Sequence, residues 1–162
     1  MPKILPIPVS FRLPDGWQPA AHGSEVGGDV AFAAVRSPSE AEFVSNITID
    51  GEVPPDTATL DSLADESVWR MREVAESVVV TNRRKVLSEG APALVQVLSF
   101  SAIVGGVRRE LVQSQMLLAM VDVQDPRRRV VIRTVLTTSA DQYASVVPEY
   151  QLFLRSIRAD AS

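Results

Sequence analysis

The feature that most restricts the fold is a run of four long strand-like segments with no helix between them. Apolar and polar residues alternate, or apolar residues continue, through 78–87, 93–103, 107–123 and 129–138. Parallel strands need a crossover connection of a dozen residues or more, whereas antiparallel strands can follow one another through tight turns. The short links, with Gly105-Gly106 as one hairpin turn, therefore favour an antiparallel meander over a parallel, doubly wound sheet.

Two helices frame this run of strands. Residues 60–76 carry apolar side chains at helical spacing, and Thr59 stands where an N-cap residue is expected. A second helix is predicted to begin after Ser139, the N-cap of a capping box with Gln142, and its apolar positions run from Tyr143 to Ile157. Pro148 falls inside this second helix and predicts a kink or an interruption there.

The first part of the chain adds shorter strands. Alternation over 7–13, 29–36 and 43–50 is typical of half-buried strands, and Trp17 is interpreted as a core residue. At 162 residues the chain fits one domain, 1–162, with a sizeable core. The sequence thus predicts an α+β fold: a mostly antiparallel sheet of about six to seven strands packed by two main helices, in two or three layers.

Few residues could support catalysis or hold a metal or cofactor. The chain has no cysteine, which excludes thiolate metal sites and thiol nucleophiles. Its one histidine, His22, is interpreted as a loop residue, because a triad would need a nucleophile and no Gly-x-Ser-x-Gly motif is present. The acidic residues are dispersed, and neither glycine pair follows a phosphate-binding pattern. The sequence predicts no catalytic residue, no metal and no cofactor.

The charge and hydropathy of the chain limit the classes of partner that it can bind. The formal net charge of −4 argues against nucleic-acid binding, since such domains usually carry a basic face. No segment approaches the roughly 18 consecutive apolar residues of a membrane-spanning helix. The opening residues 1–8 contain three prolines and no hydrophobic region of a secretory signal, so we expect a cytoplasmic protein without membrane insertion.

Trp69 and several arginines are the candidate partner-binding residues. Trp69 lies on the polar face of the first predicted helix beside Arg72, and exposed tryptophans are enriched at protein interfaces. The structural alternative is that a loop covers this side chain. The runs 82–85 and Arg127, Arg128 and Arg129 could form a positive patch together with Arg108 and Arg109, and solvated strand faces with edge protection by charge are the simpler alternative.

The opening segment also carries a family resemblance. The sequence Phe11-Arg-Leu-Pro-Asp-Gly-Trp17 resembles the start of the LpqN/LpqT-like family of actinobacteria, which has a PsbP-like α/β/α fold. The same fold is shared with a eukaryotic Ran-binding import factor and with bacterial secretion-effector chaperones. Residues 153–157 are similar to the closing helix of that family. The chain departs from the lipoproteins in lacking a signal peptide and a lipobox cysteine.

The resemblance implies binding, assembly or chaperone work and supplies no catalytic residues. The leading hypothesis is therefore a non-catalytic domain that binds an unknown protein partner. The alternative is a small-molecule binder or hydrolase, with a pocket between sheet and helices that gathers Arg133, Tyr143 or Tyr150. The long strands have apolar positions on both faces, which also suggests the hypothesis of a homodimer formed through a sheet edge.

Overall fold

The strand-like run in the second half of the chain forms the centre of the protein. The structure is a computed structural model that describes residues 5–20, 30–37, 43–88, 90–122 and 124–159. In chain order the elements are β1 (Val9–Ser10), β2 (Trp17–Pro19), β3 (Phe32–Arg36), β4 (Asn46–Glu52), α1 (Leu60–Val74), β5 (Glu76–Ser88), β6 (Ala91–Val104), β7 (Val107–Val121), β8 (Arg129–Ser139), α2 (Tyr143–Arg155) and β9 (Arg158–Ala159).

Seven strands form one sheet in the order β2-β3-β4-β8-β7-β6-β5, and every neighbouring pair is antiparallel. The predicted α+β class, strand number and meander are confirmed. The β6–β7 hairpin turns at Gly105 and Gly106, whose φ angles of 58° and 79° lie in the left-handed region that glycine adopts without strain. β1 and β9 form a separate two-stranded sheet.

The two helices cover opposite faces of the sheet. α1 packs on β5, β6 and β7, whereas α2 packs on β8. The core on the α2 side is the larger one and contains Tyr150 and Phe153 from the helix together with Trp17 and Ile7. Two smaller apolar clusters lie under α1. The protein therefore has three layers, helix, sheet and helix.

The first helix begins where the sequence predicts. Thr59 is the N-cap of α1, and its side chain accepts a hydrogen bond from the Ser62 backbone N–H at 3.0 Å. Ser62 completes a capping box, because its side-chain oxygen accepts from the Thr59 backbone N–H at 2.9 Å.

The predicted capping box of the second helix is wrong. Ser139 is the last residue of β8, and its carbonyl accepts a hydrogen bond from Gln142 N–H in the tight turn that follows. Gln142 is the N-cap of α2 and makes no side-chain capping bond. The predicted interruption at Pro148 is also wrong, because α2 continues through it, whereas the alternative of a kink stays a prediction. The proline removes one helical hydrogen bond and is exposed to solvent.

The predicted first strand is only partly correct. The alternation is real, since Ile7 is buried and Val9, Phe11 and Leu13 pack against the same core. Ladder pairing, however, is limited to β1, because Pro6, Pro8 and Pro14 have no backbone N–H to donate. The segment lies tightly on β4, where a Cβ on Gly51 would come within 2.8 Å of Pro6 Cδ.

Candidate protein-binding surface

Trp69 projects outward from the middle of α1. It is 66% exposed, whereas Leu63, Ala64 and Val68 on the opposite side of the same helix are buried. The helical period places a residue nine positions after Leu60 on the side away from the sheet. The interpretation of Trp69 as an outward-facing residue is therefore correct within the part of the chain that the structure describes.

Charged side chains surround Trp69. Residues three or four positions away on a helix share its face. We define the Trp69 surface as these neighbours and the tryptophan itself: Asp65, Glu66, Trp69, Arg72 and Glu73. All five are exposed. The surface combines one large apolar group with charges of both signs.

Ion pairs organise part of this surface. Glu66 pairs with Arg70 at 2.7 Å one turn along the helix, and Asp65 pairs with Arg83 of β5 at 2.6 Å. Arg72, in contrast, has no hydrogen-bond or ion-pair partner among the described residues. Its guanidinium is therefore exposed on the same face of the helix as the indole.

A chain of buried amides fixes α1 on the sheet beneath this surface. Gln96 is fully buried and donates to the Ala64 carbonyl at 3.1 Å and to the Gln115 side chain at 2.8 Å. Its own oxygen accepts from Arg83, which also holds Asp65. Gln115 donates to Gln113 at 2.9 Å. We call this series the amide chain.

The amide chain continues to β8, since Gln113 donates to Thr137 at 3.1 Å. It crosses four strands and separates the two apolar clusters under the helix, one around Leu63 and the other around Val68. Each buried amide in this chain has a defined hydrogen-bond partner. These hydrogen bonds restrict the position of α1 on the sheet more closely than apolar contacts alone would.

Arg127, Arg128 and Arg129 do not join the Trp69 surface. They lie at the β7–β8 turn, and Arg129 donates to the carbonyls of Pro55 and Ala58 just before α1 begins. Arg72 is in the last turn of the same helix, about 18 Å along the axis from Leu60. The predicted partner-binding residues therefore form two separate groups.

Most of the basic side chains in the runs 83–85 and 127–129 have a hydrogen-bond or ion-pair partner among the described residues. Arg128 is held by Asp122 at 3.0 Å and also donates to the Pro6 carbonyl. That ion pair and the Gln124 backbone N–H lower the pKa of Asp122 below its usual range, with the backbone bond as the larger cause. Lys85 pairs with Asp61 at 2.6 Å. Arg127 extends almost fully into solvent, with 96% of its side chain exposed.

A groove lies on the other side of the molecule, between residues 10–15 and α2. Its volume is about 870 Å³. Ser156 joins the two walls, because its hydroxyl accepts from the Arg12 backbone N–H at 2.9 Å and lies 3.2 Å from the Arg12 carbonyl oxygen. The walls come from opposite ends of the chain, so periodicity and local motifs do not reveal this groove.

Glu149 lies at one side of the groove, and both of its carboxylate oxygens accept hydrogen bonds from other side chains. Its carboxylate accepts from the Trp17 indole N–H at 2.7 Å and from two nitrogens of Arg36 at 3.1 and 3.0 Å. Trp17 is buried, which confirms its interpretation as a core residue. The three side chains connect α2 with β2 and β3.

The residues of the alternative pocket do not converge. Tyr150 is fully buried in the α2-side core, where its hydroxyl lies 2.7 Å from the Thr134 hydroxyl. Burial raises the pKa of Tyr150 above its ordinary value. Arg133 precedes Thr134 on β8 and therefore points to the opposite face of the sheet, where it approaches Glu52 at 3.4 Å. Tyr143, at the start of α2, also has a raised pKa because of burial.

The residues that the structure describes contain no group of three or more His, Cys, Asp or Glu side chains placed to hold a metal ion. None of their helices has both the length and the apolar composition needed to cross a bilayer. His22 lies outside the described residues.

Sequence comparison finds no relative. No family model matches the chain, and no curated protein sequence matches it. The fold, in contrast, matches several solved structures. Mog1p of Saccharomyces cerevisiae, a Ran-binding protein, matches with a TM-score of 0.60 at 17% identity, over 93% of this chain and 89% of that chain.

Two further matches concern the resemblance noted in the opening segment. LpqN of Mycobacterium tuberculosis, involved in cell envelope biogenesis, has a TM-score of 0.66 at 10% identity, over 94% of this chain and 84% of that chain. PsbP of the cyanobacterium Synechocystis has a TM-score of 0.55 at 16% identity, over 94% and 86% of the two chains. The resemblance is thus confirmed at the level of architecture: this chain has an LpqN/PsbP-like fold.

Proposed function

We propose that this chain is a protein-binding or assembly domain that contacts its partner through the Trp69 surface. The observation that carries the proposal is the 66% exposure of Trp69 on the outer face of a helix whose position the amide chain fixes. Burying the remainder of such an indole removes on the order of 100 Å² or more of apolar surface from water. That contribution, roughly 3 kcal/mol, is typical of a residue that dominates an interface.

The surroundings of Trp69 also support a protein partner. Hot-spot residues are effective where neighbouring groups exclude water and supply complementary charge. Glu66, Glu73 and Arg72 provide charges of both signs around the indole. Because Arg72 has no hydrogen-bond or ion-pair partner among the described residues, we expect an acidic side chain of the partner to pair with it. The Ran-binding protein Mog1p, which has a similar fold, supports the view that this architecture suits protein recognition.

The first experiment is an affinity capture from the cytoplasmic fraction of the native host, with the wild type and Trp69→Ala. We expect the substitution to reduce recovery of the specific partner at least about tenfold, as for a hot-spot residue. Leu87→Ala is the matched control, since Leu87 is 75% exposed and lies at the far end of β5. Equal recovery by all three proteins would contradict the assignment of the surface.

A second test measures tryptophan fluorescence and needs no substituted protein. Trp17 is buried and Trp69 is exposed, so a soluble quencher such as acrylamide acts mainly on the emission of Trp69. Saturating purified partner should protect that emission. Unchanged quenching on binding would show that the partner binds elsewhere. The cytoplasmic location stays a prediction, and recovery of the protein in the envelope fraction would contradict it.

A further inference from the structure

The groove between residues 10–15 and α2 has more positive than negative charge. Arg12, Arg155 and Arg158 line it, together with Asp15 and Glu149. The Glu149 carboxylate is already compensated by Arg36 at 3.0 Å. The net excess of positive charge is unusual on a protein whose formal net charge is −4.

The guanidinium groups of two of these arginines make no hydrogen bond or ion pair with the described residues. Among the described residues most guanidinium groups meet a carboxylate or a carbonyl, and Arg158 itself donates to the carbonyls of Arg155 and Ile157. Neither Arg12 nor Arg155 has an ion-pair partner in the described part of the chain. Their charges therefore remain available to a ligand that enters the groove.

Helix electrostatics explains only part of this arrangement. Arg155 and Arg158 follow one another at the carboxyl end of α2, where positive charge complements the helix dipole. Arg12 does not belong to that helix. It comes from the opposite end of the chain and is fixed at the groove by the two contacts of its backbone with Ser156. The dipole gives no reason for a third arginine there.

The groove also offers apolar contacts. Phe11 and Leu13 are half-buried in its wall, and Phe11 is held in place by Phe32 and Phe153 at ring distances of 4.9 and 5.5 Å. Leu152 of α2 faces the same space and is 58% exposed. A ligand that fits these walls has acidic groups for the arginines and an apolar side chain for Leu152 and Phe11.

We propose that this groove binds an acidic peptide segment, in which carboxylates alternate with apolar side chains. From Glu149 to Arg155 the α2 wall extends about 9 Å, which matches three residues of an extended peptide. The volume of about 870 Å³ leaves room for their side chains. This site is separate from the Trp69 surface and goes beyond the proposed function.

The test uses a hexapeptide of alternating glutamate and leucine, labelled with an uncharged dye, and fluorescence anisotropy on the whole chain. We expect Arg12→Glu/Arg155→Glu to weaken binding at least about tenfold, since it replaces two attractions with two repulsions. Raising the ionic strength should weaken binding to the wild type as well. Leu152→Ser should reduce affinity through the apolar contact without changing its salt dependence.

The matched control is Arg84→Glu/Arg127→Glu. Both side chains are exposed and lie outside the groove and outside the Trp69 surface, and the only ion pair of Arg127 among the described residues is a solvent-exposed one with Asp125 at 3.8 Å. This control should bind the peptide within about twofold of the wild type. Loss of binding in the control as well, or equal binding of a glutamine–leucine hexapeptide, would overturn the proposal. Because capture of the Trp69 partner is measured separately, failure of one proposal does not imply failure of the other.

Discussion

The Glu149 carboxylate holds parts of three elements together and is the residue whose loss we expect to destabilise the protein most clearly. In Glu149→Ala the indole N–H of Trp17 stays buried without its acceptor, and Arg36 loses a bidentate partner. An unsatisfied buried donor costs about 1–3 kcal/mol. We expect a loss of that size in the free energy of unfolding, measured by urea denaturation.

Glu66→Ala is the control for this prediction. Glu66 also pairs with an arginine, but both side chains are more than half exposed. Exposed pairs contribute about 0–1 kcal/mol, so this change should barely affect the free energy of unfolding. A loss as large as that of Glu149→Ala would indicate that removal of a surface charge, and not an orphaned indole, explains the effect.

Sequence patterns predict the direction of single side chains better than their partners. The helical period alone places Trp69 outside, and the strand-and-turn context places Trp17 inside. The acceptor of Trp17 is 132 positions away, and no local pattern points to it. The arginine run has partners of both kinds: Asp122, six positions before Arg128, lies in the same β7–β8 turn, whereas the Pro55 and Ala58 carbonyls that bind Arg129 come from a distant part of the chain.

At the scale of elements, the two helices begin in different ways, and this difference can be measured. Thr59→Ala removes a side-chain capping bond of α1, so we expect a loss of about 1 kcal/mol in the free energy of unfolding. Ser139→Ala should have almost no effect, because Ser139 contributes its backbone carbonyl and not its side chain to the start of α2. Thermal or urea unfolding of both variants provides the comparison.

Equal losses in the two variants would mean that the sequence motif at Ser139 acts as a cap after all. The motif misled because Ser and Gln three residues apart also occur across a tight turn from a strand into a helix. The positions of the long strands were easier to predict than the start of α2. Long alternating segments specify β5, β6, β7 and β8 to within a few residues, whereas β2 and β9 are too short to produce any periodic signal.

At the scale of the whole molecule, the two edges of the sheet differ greatly. β2 has three residues and includes Pro19, whereas β5 has 13 residues. A homodimer that continues the sheet would therefore use β5. Two register irregularities and the charged residues Arg84 and Lys85 reduce the fit of this edge to another strand.

The homodimer stays a prediction that light scattering can decide. If it forms, the measured mass should rise with concentration from 17.6 kDa toward twice that value. Arg84→Glu should change the dissociation constant, because the two copies of this residue would meet near the shared edge. A mass that stays at 17.6 kDa over the whole concentration range would contradict a dimer through β5.

The amide chain under α1 has a consequence for how such a protein can diverge. Gln96 and Gln115 satisfy each other in a buried site, so replacing either one alone leaves the other with an unmet hydrogen bond. We expect the two positions to change together or not at all in descendants of this sequence. The solvent-facing side chains of α1 do not depend on one another through buried hydrogen bonds, and only their exposed ion pairs connect them to other residues. New binding specificities can therefore arise around Trp69 by single substitutions, while the helix that presents them stays in place.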